Sequence, residues 1–328
     1  MIYKELFSLD NLFLAWGKFR SGKTGKYDVI FFERHLEDNI FSLYSELSLR
    51  KYKHSVYEHF TVFDRKKRDI FKAEVKDRLI HQIIHDYLSA IFEPFFIHDS
   101  YSSRIDKGSH KAVKTFQYFI KLASDTGRSS YVLKCDIKKY FNSIDQEILL
   151  KIIKNRVHDD KIFEIIKIIV LSFESEKGKG LPLGNITSQI FANIYLNEFD
   201  WFVKNKLKAR FYVRYNDDFV ILDENPERLT RFLFEIREFV SERLKLDVPP
   251  NKCSLRKSAW GVDFLGFIVS RDFTLLRKST KERIKAKFNE RNIASYLGTL
   301  SHCDSFNLRA KILANFYRGK ISDFNFYL

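Results

Sequence analysis

The chain has 328 residues, 45% hydrophobic and 30% charged, with 33 Phe against only 12 Gly and 5 Pro. Such a composition suits a soluble globular protein of two or three domains and excludes collagen-like, Pro-rich and disordered architectures. The 57 Lys and Arg exceed the 42 Asp and Glu by 15, which points to a polyanionic partner, either nucleic acid or a membrane surface.

No apolar run reaches the ~20 residues that cross a bilayer. The start, MIYKELFSLDNLFLAW, carries acids and no small-residue cleavage site, so it does not read as a signal peptide. Cys135, Cys253 and Cys303 are widely separated and form no CxxC. That argues against a disulfide scaffold or zinc ribbon and for a reducing cytoplasm.

In chain order, residues 1–60 read as mostly helical, with a loop at Ser21–Gly25 that lacks the spacing of a phosphate-binding loop. Residues 55–72 hold two aromatic or β-branched runs around a charged centre, the pattern of a basic hairpin. Residues 74–94 repeat apolar positions at helical spacing and stop at Pro94. Tyr131–Ile137 alternates as a strand, with Cys135 as a small core hydrophobe. Asp145 stands at an N-cap position before the apolar pattern of 147–156.

Gly178, Gly180, Pro182 and Gly184 mark a loop, and Ser188–Lys208 a long helix. Phe211–Val213 and Phe219–Leu222 are short strands around Arg214-Tyr215-Asn216-Asp217-Asp218. A helix over 226–246, a last hairpin from Phe264–Val269 and Thr274–Leu276, and a basic helical tail complete the order. Strands mixed with helices of this length predict an α+β core with helices packed on one sheet face.

Two features carry chemistry. Asp136 ends a strand, and Asp217-Asp218 sit at a hairpin turn about 80 residues later. Alone, Asn216-Asp217-Asp218 reads as an ordinary turn. With apolar strands on both sides and a third strand-end acid upstream, the set becomes a hard-oxygen site suited to Mg²⁺. Two such ions would clamp the attacking and leaving oxygens of a phosphoryl transfer.

These residues resemble the reverse transcriptases. Tyr215-Asn216-Asp217-Asp218 is similar to the YxDD box, and Asp136-Ile137-Lys138-Lys139-Tyr140-Phe141 to the first metal-binding motif. Asn251-Lys252-Cys253 and Phe264-Leu265-Gly266 resemble the two later palm motifs. Lys66 and Arg68, Asp77-Arg78, and Ser100-Tyr101-Ser102-Ser103-Arg104 resemble finger motifs of group II intron-like enzymes. The resemblance runs from about residue 55 to 276.

Most of that family reads QGxxxSP where this chain reads Leu183-Gly184-x-x-x-Ser188-Gln189. In this, and in the following Phe191–Leu196, it resembles the reverse transcriptases of diversity-generating retroelements. Those enzymes copy a template-repeat RNA into cDNA with frequent errors at template adenines, together with a small helical accessory variability protein.

The resemblance implies a right-hand polymerase fold. It divides into an N-terminal helical extension (1–54), fingers (55–135), a palm (136–276) and a small basic helical thumb (277–328). It implies two Mg²⁺ ions, replaceable by Mn²⁺, held by Asp136, Asp217, Asp218 and the Ile137 carbonyl. Lys252 would protonate the leaving pyrophosphate. Lys66, Arg68 and Arg104 would hold the nucleotide or template, and Phe141 would exclude a 2′-OH. Leu183, with Gly184 and Gln189 in the same box, would replace a polar anchor beside the nucleotide and so loosen discrimination.

Residues 271–328 carry 12 Lys or Arg against 5 Asp or Glu, and Lys281, Arg283, Lys285 and Lys287 recur at every second position. That spacing spreads them around a helix, and the resemblance makes this segment a thumb that would grip a template–primer duplex by its phosphates. Too few residues follow the last palm motif for an RNase H domain. The implied partners are template RNA, primer or cDNA, dNTPs and the accessory protein, with no membrane. The implied setting is the cytoplasm of a bacterium or archaeon, or a phage-encoded origin. Three other readings stay open: a defence-type, abortive-infection reverse transcriptase, an inactive maturase-like RNA-binding protein, and a two-metal nuclease.

Overall fold

The computed structural model describes residues 2–63, 67–125, 129–289 and 291–324. Helices α1 (Tyr3–Leu6), α2 (Leu9–Arg20), α3 (Tyr27–Arg34) and α4 (Leu36–Ser48) precede a hairpin of β1 (Glu58–Phe63) and β2 (Lys67–Lys72). Then come α5 (Val75–Phe92), α6 (Ser109–Ser124), β3 (Tyr131–Asp136), α7 (Tyr140–Ser143), α8 (Gln146–Lys154), α9 (Asp160–Leu171) and α10 (Ile186–Trp201). Strands β4 (Phe211–Tyr215) and β5 (Asp218–Asp223) lead into α11 (Pro226–Leu244) and β6 (Cys253–Lys257). The chain closes with β7 (Val262–Phe264), β8 (Phe267–Val269), β9 (Thr274–Leu276), α12 (Lys278–Lys287), α13 (Ile293–Leu300) and α14 (Phe306–Phe324).

These elements form two compact units. The first comprises Met1–Ile97, Ile137–Phe202 and Arg237–Val248. Its core is helical: α5 buries Leu79, Ile80, Ile83, Ile84 and Leu88 at 3.6-residue spacing and packs against α2 and α10. Buried side chains surround α10 on every face, from Thr187 to Asp200, so its sequence shows no single apolar stripe. It ends at Trp201 and widens into a π turn over Phe202–Lys206, where the sequence predicts continuous helix to Lys208. Asp145 caps α8 as expected, its side chain accepting from the Ile148 amide at 3.0 Å.

The second unit comprises His98–Asp136, Val203–Ile236 and Pro249–Leu328. A four-stranded antiparallel sheet in the order β4-β5-β3-β6 forms its centre. Val132, Val213, Val220 and Leu222 project from one face into a core shared with Phe116 and Ile120 of α6. That core continues through Phe264, Phe267, Val269 and Leu276 of a second, three-stranded sheet, β7-β8-β9, to Ile284 of α12. The sequence predicts only a hairpin there, and covering on one face of the main sheet. Yet Leu133, Cys135, Tyr212, Phe219 and Ile221, which alternate to the other face, are just as buried. The strands are apolar on both sides, as doubly covered strands must be. Helices α6 and α9 and strand β6 have no counterpart among the predicted elements.

Among the described residues, no helix is long and apolar enough to cross a membrane.

Candidate active site

The acids named by the sequence come together at the ends of two neighbouring strands of the second unit. Antiparallel register sets Asp136, the last residue of β3, directly opposite Asp218, the first of β5. Asp217 precedes it in the two-residue turn joining β4 to β5, where Tyr215 pairs with Asp218. The turn requires Asn216 in the left-handed region, φ 51°, a conformation that Asn tolerates better than most residues.

The electrostatics reflect this crowding. Burial first, then the neighbouring Asp136 and Asp218 charges, push the Asp217 carboxyl up to about 6, against the pull of its own backbone amide and Lys252. Burial also raises Asp218, with Lys134 opposing and Asp136 and Asp263 adding to the rise. Lys252, on the turn before β6, donates to Asp136 Oδ1. Lys134 Nζ donates to the Asp263 carbonyl at 2.7 Å, and Arg277 pairs with the Asp263 carboxylate.

Three carboxylates with surplus negative charge, all oxygen donors, fit a hard divalent cation. Among the described residues, no three His, Cys, Asp or Glu side chains stand as a ready-made cage. Asp136 is instead held by the Lys252 ammonium.

Arg104, also of the second unit, donates through Nη1 to the Ser100 carbonyl at 2.8 Å. On α12, Lys281 and Lys285 line a cleft of about 640 Å³ together with Arg309 and Lys311. Arg283 and Lys287 are not among its lining. Lys281 and Lys285, four residues apart on α12, thus share one cleft, and two further basic residues, distant in sequence, join them there.

The remaining predicted residues lie in the first unit. Arg68 is exposed on β2, paired with Val62 of β1; Lys66 falls outside the described residues. Ile137 is fully buried. Phe141 is half-buried on α7, its ring edge-on to Tyr140 at 5.5 Å. Leu183 and Gly184 are stitched to β2: the Phe71 amide donates to the Leu183 carbonyl at 2.9 Å, and Asn185 Nδ2 donates to the Phe71 carbonyl at 2.7 Å.

Gly184 has φ +109°, and a Cβ there would meet Ile70 Cγ2 at 2.8 Å. A glycine is required both by conformation and by the approach of the hairpin. Ser188 Oγ donates to the Pro182 carbonyl at 2.7 Å, closing the loop from below. Gln189 is exposed in the first turn of α10. Asn185 and Ser188 thus set the loop's shape, a role that the box pattern alone does not disclose.

The family model for reverse transcriptase (RNA-dependent DNA polymerase) matches residues 53–269, about two-thirds of the chain. The chain belongs to this family. The reverse transcriptase is 22% identical over 295 residues to protein YkfC of Escherichia coli (strain K12), covering 78% of this chain and 73% of that protein. It is 30% identical over 190 residues to group II intron-encoded protein LtrA of Lactococcus lactis subsp. cremoris. That match covers 55% of the reverse transcriptase and 29% of LtrA, so the chain corresponds to under a third of that relative's length.

Among solved structures, the fold is similar to apo telomerase from Candida tropicalis truncated from the C-terminal domain, with a TM-score of 0.51 and 15% identity. That likeness covers 74% of the reverse transcriptase and 60% of the telomerase chain. The mixed helix-and-sheet architecture with a palm-like antiparallel sheet agrees with it.

Proposed function

We propose that the chain copies an RNA template into DNA by two-metal nucleotidyl transfer. The observation that carries this reading is the cross-strand pair Asp136–Asp218 with Asp217 beside it. Asp136, Asp217 and Asp218, with the Ile137 carbonyl, would hold two Mg²⁺ or Mn²⁺ ions. Those ions, when bound, would polarise the attacking 3′-oxygen and neutralise charge on the leaving phosphates.

The chain's own residues supply the rest. Lys252, bonded to Asp136, would deliver a proton to pyrophosphate. Phe141 would press on the sugar and exclude a 2′-OH. Arg68 and Lys66 would hold the triphosphate, and Arg104 the template or nucleotide. The Lys281–Lys285–Arg309–Lys311 cleft would grip duplex phosphates. In this reading 55–135 serve as fingers, 136–276 as palm and 277–328 as thumb.

Within the family, we assign the chain to the diversity-generating type, acting with a small helical accessory protein on a template-repeat RNA. Leu183-Gly184…Ser188-Gln189 supports this, because Leu183 offers no hydrogen bond where a polar residue would anchor a correctly shaped pair. The test is extension of a DNA primer on a defined RNA, with and without the accessory protein, followed by sequencing. Errors concentrated at template adenines, and reduced several-fold in Leu183→Gln, support the reading; errors spread evenly over four bases overturn the subtype. No incorporation by the wild type, with RNA binding retained, would favour a maturase-like role. That second reading is suggested by similarity to relatives such as nuclear intron maturase 4 of Arabidopsis thaliana, 26% identical over 144 residues.

A further inference from the structure

The β4 strand that leads into the catalytic turn carries a fully buried arginine. Arg214, 0% exposed, is among the largest side chains in the interior. Burying a guanidinium is costly unless its donors are used, and two of the Arg214 donors reach toward the turn and the loop before it. Nη2 donates to Ser100 Oγ at 3.0 Å, and Nη1 donates to the Asn216 carbonyl at 3.2 Å.

The same loop reaches the turn a second time. Ser102 Oγ donates to Asn216 Oδ1, and Ser102 is itself buried. Asn216, the residue immediately before Asp217, is thus gripped by its carbonyl from Arg214 and by its side chain from Ser102.

The loop is in turn anchored. The Arg214 amide donates to the Asp99 carbonyl at 3.0 Å, and the Tyr101 amide to the Arg214 carbonyl at 2.9 Å, so 99–101 runs beside β4 as a short parallel edge. Tyr101 is buried and its hydroxyl bonds Thr115 Oγ1 of α6 at 2.7 Å. Arg104 bonds the Ser100 carbonyl.

We propose that Arg214, Ser100 and Ser102 form a brace that positions Asn216 and hence Asp217. The brace lets crowded carboxylates hold their reactive arrangement before any substrate arrives, and it rests on the polymerase reading of these acids. Asn216 is the pivot because its backbone is left-handed and its side chain is a polar handle within the loop's reach. Such preorganisation acts on the chemical step more than on nucleotide binding. Arg104 hangs from the same loop, so a template or nucleotide contact at Arg104 reaches the turn through Ser100 and Arg214. Arg214, Ser100 and Ser102 are positioning residues; none need touch the reacting atoms.

The test compares Ser102→Ala, Asn216→Gly, their double variant and Arg214→Lys. Glycine keeps the left-handed backbone while deleting the handle. Displacement of reacting groups by an ångström costs of the order of 100-fold, so each single variant should lower kcat by about 10- to 100-fold. The KM for dNTP should stay within about twofold, the mark of an effect made at the chemical step. The double variant should be no slower than the slower single, since both remove one bond.

Mn²⁺ titration of the free chain, followed by electron paramagnetic resonance, should show weaker binding in Ser102→Ala and Arg214→Lys. Unchanged kcat per folded molecule, losses confined to KM, or multiplied losses in the double variant would each overturn the brace. If Arg214→Lys does not fold, the Ser102–Asn216 cycle decides. If the wild type itself incorporates nothing, the polymerase reading fails, and the Mn²⁺ titration alone decides the brace: weakened binding keeps it and unchanged binding rejects it.

Discussion

The Lys252 ammonium is bonded to the Asp136 carboxylate, which stands opposite Asp218 across the antiparallel register of β3 and β5. A cation supplied by the protein thus sits on the acid cluster, where burial first and then the neighbouring carboxylates lift Asp217 to about 6. Asp217→Asn removes a charge that the fold crowds and that the proposed hard metal would need. DNA synthesis should fall at least about a thousandfold, some 4 kcal/mol at 1.4 kcal/mol per tenfold. The variant should melt no lower than the wild type in metal-free buffer, because the burial and repulsion disappear with the charge. A folded Asp217→Asn that polymerises at the wild-type rate would remove Asp217 from the site.

Gly184→Ala places a methyl 2.8 Å from Ile70 Cγ2 at a φ of +109°. Ile70 is β-branched and has little freedom to turn away. The expected cost is about 1–3 kcal/mol, read by urea unfolding. Ile70→Ala combined with Gly184→Ala should recover only the steric part and leave the backbone strain. Full recovery in the double variant would show that conformation contributes nothing there.

His81 is fully buried on α5, with its Nε2 3.1 Å from His54 Nε2. Burial, then the nearby His54 and Arg78 charges, hold its pKa down at about 3, against an ordinary 6.5. The unfolded chain therefore takes up a proton below pH 6.5 that the folded chain refuses until about pH 3. Stability should fall progressively as pH drops through that window and be unaffected by this group above it. His81→Gln, which cannot titrate, should flatten the slope of unfolding free energy against pH between 6.5 and 3. An identical slope in wild type and variant would assign the acid sensitivity elsewhere.

Replacing Lys281, Lys285, Arg309 and Lys311 by Gln should weaken RNA–DNA duplex binding and make it less dependent on salt. Each phosphate that the protein no longer neutralises lowers the slope of log K against log salt by about 0.7–0.9. Arg283→Gln with Lys287→Gln should change the slope less, because neither lines the shared cleft. Equal effects of the two sets, measured by fluorescence anisotropy over a salt series, would mean that the duplex does not follow the cleft.

The acids are legible as a group because Asp136 ends a strand and Asp217-Asp218 fill a turn between apolar strands, and antiparallel register then sets Asp136 opposite Asp218. The basic hairpin and the Asp145 cap are legible for local reasons, since turn chemistry and capping act over a few residues. Strand β6 is not, because Ser254, Leu255 and Arg256 are exposed and alternate no apolar face; only pairing with β3 makes them a strand. Arg214 is hidden for the opposite reason. An arginine beside a turn reads as solvated, and only the fold brings Ser100 Oγ and the Asn216 carbonyl to its buried donors. The split of the cationic tail into a cleft-lining set and the rest likewise needs Arg309 and Lys311, which tertiary packing alone brings to Lys281.

The sheet order places β5 and β3 inside, with β4 and β6 at the edges. The two strands that end in Asp136 and begin at Asp218 are therefore paired on both sides, and fraying of the β6 edge is kept outside the pairing between them. Amide hydrogens of Val220 and Leu133 should accordingly exchange with deuterium only through large-scale opening, far more slowly than those of Ser254 or Leu255. Fluctuations that open the β6 edge to solvent would leave the Asp136–Asp218 register untouched.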